Sequence, residues 1–180
     1  PSPYEMYYSD GNVSTKANPD LKPETIETYE VVLEQAIDRG FYLTASLFYN
    51  KIDDLISLET DAADGLEVFR NIDKVETKGA ELELEKRWDN GLKGLISYAY
   101  QETENKQTDA AMSNSPMHLI KLKLMAPLLK DKIFAGLEEQ YTSERILLHG
   151  DKADAFFITN LTFSTHNFMK GLEVFLSVYN

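Results

Sequence analysis

Gly79-Ala80-Glu81-Leu82-Glu83-Leu84-Glu85-Lys86-Arg87-Trp88 decides the fold class of this chain. Ala80, Leu82, Leu84 and Trp88 fall on one parity, and Glu81, Glu83 and Glu85 fall on the other. Side chains of a strand alternate between its two faces, so the stretch reads as a strand with one apolar and one wet side. A helix would set Leu82 and Leu84 about 200° apart and scatter the glutamates, so the pattern outweighs the helix propensity of Ala, Glu, Leu and Lys.

Working outward, the same two-residue period recurs. Phe41, Leu43, Ala45, Leu47 and Tyr49 alternate with Tyr42, Thr44, Ser46 and Phe48; Ile120, Leu122 and Leu124 alternate with Lys121 and Lys123; Leu172, Val174, Leu176 and Val178 form a further apolar file. The segments predict about eight strands, near Thr25–Ile37, Phe41–Leu58, Val75–Trp88, Leu92–Glu102, Met117–Ala126, Ile133–Arg145, Ala155–Thr165 and Leu172–Tyr179. Asp38-Arg39-Gly40 and Asp89-Asn90-Gly91 predict tight turns in which Gly supplies a positive φ. Pro127–Asp131 and His166–Lys170 predict two further short links. The alternating links, Glu59 to Lys74, Thr103 to Pro116 and Ile146 to Asp154, are expected to be longer polar loops. Short turns at one end and long loops at the other mark an all-β, antiparallel up-and-down meander of the outer-membrane barrel type. Phe41, Trp88, Tyr98, Tyr100, Tyr141 and Phe163 near strand ends fit membrane-interface rings, and equally fit cross-strand packing.

Composition bounds the function. Thirty acidic against 18 basic residues give a formal net charge of −12, which disfavours a nucleic-acid partner. Cysteine is absent, which removes disulfides, thiolate metal sites and a cysteine nucleophile. No apolar run reaches the roughly 18 residues of a membrane helix, but a barrel strand needs only about 9 to 11 with one apolar face. The first residue is Pro1 and the last residues, Tyr179-Asn180, fall within a strand-like pattern, so the chain is expected to be a piece of a longer protein.

Reaction chemistry finds little purchase. His118, His149 and His166 are too widely spaced to suggest a metal site, Asp53-Asp54 and Asp61 with Asp64 lack calcium-loop spacing, and no Gly-x-Ser-x-Gly turn occurs. Glu81, Glu83 and Glu85 read as charges lining a water-filled interior rather than as acid/base pairs. No catalytic residue, metal ligand or cofactor is expected. The loop Tyr4–Ala17 holds Tyr4, Tyr7 and Tyr8 with Asp10 and Lys16, and its tyrosines are the candidate ligand-contacting residues at an outer mouth.

Several stretches resemble one family in order along the chain. Asn18-Pro19-Asp20-Leu21-Lys22-Pro23-Glu24-Thr25 resembles the Asn-Pro-x-Leu-x-Pro-Glu box of TonB-dependent outer-membrane receptors, and Pro1–Glu5 resembles the phrase preceding it. Phe48–Ile56, Asn71 with Thr77–Glu83, and Ser177–Asn180 are similar to later strands of that family. The resemblance implies part of a plugged barrel of about 22 strands. It also implies a Gram-negative outer-membrane location, lipid around the strands, energy relayed by TonB, and import of a scarce small-molecule metal chelate such as a ferric siderophore or a cobalamin-type ligand. Residues 1–180 would then be a partial barrel domain without plug, early strands or final strand. Haem is less expected, because Pro1–Asn18 lacks the histidine that haem-transporting relatives commonly carry there. Two other classes remain open at this point: a soluble eight-stranded barrel binding an apolar ligand, and an extracellular β-sandwich.

Overall fold

A computed structural model describes residues 1–129, 132–147, 150–165 and 171–180, leaving the side chains at 72 and 73 aside. A five-residue helix, α1 (Pro3–Tyr7), precedes β1 (Thr15–Lys16), β2 (Thr25–Ile37), a single 3-10 turn at Asp38–Gly40, β3 (Phe41–Thr60) and β4 (Glu67–Arg87). Then follow β5 (Lys93–Asn105), β6 (Ala110–Ala111), β7 (His118–Leu128), β8 (Ile133–Thr142), β9 (Arg145–Ile146), β10 (Lys152–Ala153), β11 (Phe156–Thr165) and β12 (Phe175–Val178). The main sheet has the order β12-β11-β8-β7-β5-β4-β3-β2, with β6 beside β5 and β1 beside β4. It is the predicted meander. β1 departs from it by pairing with β4 in parallel, through Thr15 with Glu67 and Lys16 with Val68. No described helix is long and apolar enough to cross a membrane.

Contacts divide the chain into two compact units, Pro1–Tyr29 with Tyr49–Lys78 and Thr103–Met112, and Glu30–Phe48 with Gly79–Glu102 and Ser113–Asn180. In the second unit the pairing register sorts side chains onto two faces. Leu95, Lys123, Glu138 and Asn160 form one rung across β5, β7, β8 and β11, with Lys123 Nζ 2.7 Å from Glu138. One residue along, the rung is Gly94, Leu124, Leu137, Leu161 and Val178, and another on that same face is Tyr98, Ile120, Tyr141 and Phe157. One face is therefore polar and ion-paired, and the other is apolar. Glu139 interrupts the apolar face between Leu122 and Thr159, and accepts a hydrogen bond from the Thr159 hydroxyl at 3.1 Å.

Where the apolar side chains lie settles the environment. Among the described residues only Leu21, Val68 and Val75 are buried hydrophobics, all in the first unit, whereas Val31, Leu33, Leu47, Leu82, Ile96, Phe157 and Leu161 are exposed. A soluble barrel would have turned these side chains inward; burying each is worth about 2 kcal/mol, too much to forgo in water. Hydrocarbon against the apolar face supplies that stabilisation instead.

Glycines let the backbones approach. A Cβ at Gly79 would stand 2.4 Å from Phe48 Cζ and 2.4 Å from the Tyr100 carbonyl oxygen. Arg39 and Gly40 turn the β2–β3 connection at φ of 62° and 76°, as the Asp-Arg-Gly sequence predicts.

The strand ends correct the sequence reading. The link expected from Glu59 to Lys74 is mostly strand: β3 runs 20 residues and β4 runs 21, leaving a tight connection. Asp61 N–H donates to Leu66 O and Gly65 N–H to Asp61 O, both at 2.8 Å. The expected loop from Thr103 to Pro116 is likewise shortened, because Glu104 pairs with Ala111 and Asn105 with Ala110. In the third link β9 pairs with β10, through Ile146 with Lys152 and Arg145 with Ala153. The short links at 127–131 and 166–170 lie partly and wholly outside the described residues, as do His149 and His166.

Candidate functional site

The N-terminal stretch expected as a loop is built, and local chemistry builds it. Ser2-Pro3-Tyr4-Glu5 forms a capping box: Glu5 N–H donates to Ser2 Oγ at 3.3 Å, Ser2 N–H donates to Glu5 Oε2 at 2.5 Å, and Pro3 sits in the first turn where its missing N–H costs nothing. Four residues apart, Tyr4 and Tyr8 stack with ring centroids 4.6 Å apart. The edge of Phe69 meets Tyr4 at 6.1 Å. Tyr7 is the most exposed of the three, at 64%, and stands outside this stack.

Asp10 folds the following segment around its carboxylate. It accepts from Val13 N–H at 2.9 Å, Thr15 N–H at 3.1 Å, Ser14 N–H at 3.0 Å and the Ser14 hydroxyl at 2.6 Å, while Gly11 and Asn12 take positive φ. The Ser14 hydroxyl, then the Thr15 and Ser14 amides, hold its carboxyl well below the usual range. β1 emerges from this turn, and Glu67 N–H donates to Ser14 O at 2.8 Å.

Lys16 then reaches Asp61 at 2.6 Å and Asp64 at 2.7 Å, and Arg70 meets the same Asp61 oxygen at 2.6 Å. The Lys16 ammonium, followed by the Ala63 amide, lowers the Asp61 carboxyl to about 2, and the two carboxylates raise Lys16 in return. Asp61 and Asp64 therefore hold a lysine. Asp53 is likewise paired, with Lys51 at 2.9 Å.

The box at 18–25 works as a lashing. Asn18 Nδ2 donates to Phe69 O at 2.9 Å, and its Oδ1 accepts from Asp20 N–H at 3.2 Å. Leu21 is buried. Asn71 Oδ1 accepts from Lys22 N–H at 2.9 Å, while its Nδ2 donates to Lys22 O at 3.0 Å and Asp54 O at 2.7 Å. Glu24 Oε1 accepts from Ile56 N–H at 2.7 Å. Side-chain amides and a carboxylate thus tie the backbone of the segment before β2 to that of β3 and β4. Sequence reasoning noted Asn71 only within a resemblance and missed Phe69; neither was read as an organiser of this region, and the signals were that resemblance and a lone aromatic in a polar stretch.

Elsewhere the candidates resolve into structure. Glu81 and Glu83 line a polar hollow with Thr44, Ser46, Ser97 and Lys121, as expected for the wet face. His118 packs against Tyr98 and Tyr100, with Nδ1 2.9 Å from the Tyr98 hydroxyl. No cluster of metal-ligating side chains occurs among the described residues.

An antiparallel sheet with one lipid-compatible face, together with long hairpins lashed by side chains, defines a segment of an outer-membrane barrel. The chain belongs to the TonB-dependent receptor-like β-barrel family, whose model matches residues 1–180. Members of this family are outer-membrane receptors of Gram-negative bacteria rather than enzymes. No curated protein matches the sequence.

Among solved structures, the chain resembles the copper transporter OprC, with 18% identity over 100% of this chain and 29% of that one, at a TM-score of 0.75. A mutant ferric enterobactin receptor from Pseudomonas aeruginosa shares 20% identity over 92% of this chain and 27% of its own, at a TM-score of 0.72. The siderophore receptor PirA from Acinetobacter baumannii shares 16% over 92% and 28%, at 0.70. The chain thus spans less than a third of the length of these receptors.

Proposed function

We propose that this chain is part of a receptor that imports a scarce metal chelate, a ferric siderophore or cobalamin-type ligand, with energy relayed through TonB. The observation that carries the reading is the exposed, pre-stacked Tyr4–Tyr8 pair, braced by Phe69. Rigid aromatic faces with hydroxyl edges suit a ligand that is both planar and oxygen-rich, and holding them in place before binding lowers the ordering cost. Tyr7, Tyr4 and Tyr8 are assigned to ligand contact, with Asp10 and the Lys16–Asp61–Asp64 network keeping that surface in shape. Receptors of ferric enterobactin and of siderophores share the fold, which accords with the proposal.

The test is uptake by cells carrying the full-length receptor, comparing ferric catecholate and hydroxamate chelates, cobalamin and copper salts. Uptake of one chelate, lost when TonB is deleted and weakened by Tyr4→Ala with Tyr8→Ala, is the expected result. Uptake of free copper alone, or chelate uptake indifferent to both tyrosines, overturns the assignment.

A further inference from the structure

Lys86 occupies an unusual place. It shares strand parity with Ala80, Leu82 and Leu84, so it lies on the apolar face. Its ammonium stands 4.2 Å from the centre of the Phe41 ring and 5.8 Å from that of Trp88, and donates to the Arg39 carbonyl. The Arg39 side chain, at the β2–β3 turn, is 87% exposed, with Asp38 3.8 Å away. This is the short-turn end of the segment, which in outer-membrane barrels faces the periplasm.

On the same face, a hollow of about 430 Å³ is bordered chiefly by Val31, Leu33, Leu47, Leu82 and Tyr98 around Ala45 and Ala80, with Ser46 and Glu81 also touching it. Ala45 and Ala80 make it: their short side chains leave a trough between larger neighbours. Lys86 lies four residues along β4 from Leu82, about 13 Å at strand rise, which is less than the roughly 15 Å half-thickness of a hydrocarbon core. A cation at the interface and an apolar trough one leaflet deep are therefore spaced as the two ends of one lipid.

We infer that this face binds an anionic phospholipid of the periplasmic leaflet, its phosphate at Lys86 between Phe41 and Trp88 and an acyl chain in the trough floored by Ala45 and Ala80. Charge complementarity selects the occupant: a chain carrying −12 overall places a lysine, ringed by aromatics, where the headgroups lie. The site rests on the barrel's orientation in the membrane and is independent of what the receptor imports.

Native mass spectrometry on the full-length receptor, loaded with phosphatidylglycerol or with phosphatidylcholine of identical acyl chains, tests it. The expected result is preferential retention of phosphatidylglycerol, weakened about fivefold by Lys86→Gln, the loss of one basic residue's attraction to an anionic lipid, and preserved by Lys86→Arg. Ala45→Phe, which fills the trough, is expected to reduce retention of both lipids while the barrel keeps its heat-resistant folded form on gels. Equal retention of the two lipids, or unchanged retention in Lys86→Gln or in folded Ala45→Phe, overturns the inference. Displacement by inorganic phosphate at constant ionic strength also overturns it, since the trough would then contribute nothing. None of these readouts involves uptake, so failure here leaves the import proposal standing and the converse holds.

Discussion

Phe48 occupies the space that a side chain at Gly79 would need, on the polar face of two neighbouring strands. The second neighbour of that missing Cβ is the Tyr100 carbonyl oxygen, which is backbone and cannot swing away. Gly79→Ala is therefore expected to destabilise the barrel by about 1 to 3 kcal/mol. Thermal unfolding of the full-length protein in detergent checks this. Adding Phe48→Ala should restore only part of the loss, because the carbonyl remains; full restoration would show that the ring alone set the constraint.

Asn71 ties three backbone groups from two distant segments, those of Lys22 and Asp54. Removing it in Asn71→Ala strips two carbonyls and one N–H of their partner, for an expected local cost of about 1 to 3 kcal/mol. Hydrogen exchange should quicken at residues 18–24 and around 54–56 and stay unchanged in β7 and β8. Uniform exchange across the chain would contradict a local lashing.

Asp61 gives a pH dependence with a definite sign. Its folded carboxyl titrates at about 2, below the ordinary aspartate value of 3.8. The folded form thus favours the ionised state: the stabilisation is fully present above pH 3.8 and is lost as pH falls through about 2. Protection of the β3–β4 connection is expected to hold from neutrality down to about pH 4 and to decline below it. Lys16→Met should move the Asp61 titration, followed by NMR, upward toward the ordinary value; no movement would remove Lys16 as the principal cause.

Leu122 and Lys121 sit on opposite faces of β7, in rungs with Glu139 and with Gln140. Leu124→Arg, in the apolar rung of Gly94 and Leu137 and so clear of Glu139, puts a charge into hydrocarbon and is expected to cost about 2 to 4 kcal/mol near the bilayer midplane. Lys121→Arg on the wet face should be tolerated. Cysteines introduced singly from 119 to 125 should alternate between labelling by lipid-soluble and by water-soluble reagents; a stretch without alternation would refute the assignment of faces.

The membrane part of the fold was legible because burial on one side imposes a strict alternation, and Gly79–Glu85 keeps it without interruption before Lys86 brings a charge onto the apolar parity. Beyond the hydrocarbon a strand need not keep one face apolar, and that constraint lapses. Residues 67–74 run Glu-Val-Phe-Arg-Asn-Ile-Asp-Lys, so β4 begins eight residues before the expected start at Val75, held by pairing and by Asn71 rather than by a pattern. The helix α1 escaped notice for a related reason: five residues are too few for a 3.6-residue period to register, although Ser2 and Glu5 already spelled its cap. The tyrosines were identifiable as candidates by composition, but their division into a stacked pair and an outlier depends on that helix.

The extended reach of β3 and β4 has a bearing on life at the cell surface. Proteases act on backbone they can draw out into their own cleft, and loop tips are where they usually find it. A connection whose Asp61, Ala63, Gly65 and Leu66 amides are already bonded, and whose acidic corner is gripped by Lys16, offers little slack to seize. Digestion of intact cells should therefore spare this hairpin, leaving a receptor that can present chemistry to the outside without surrendering the strand that carries it.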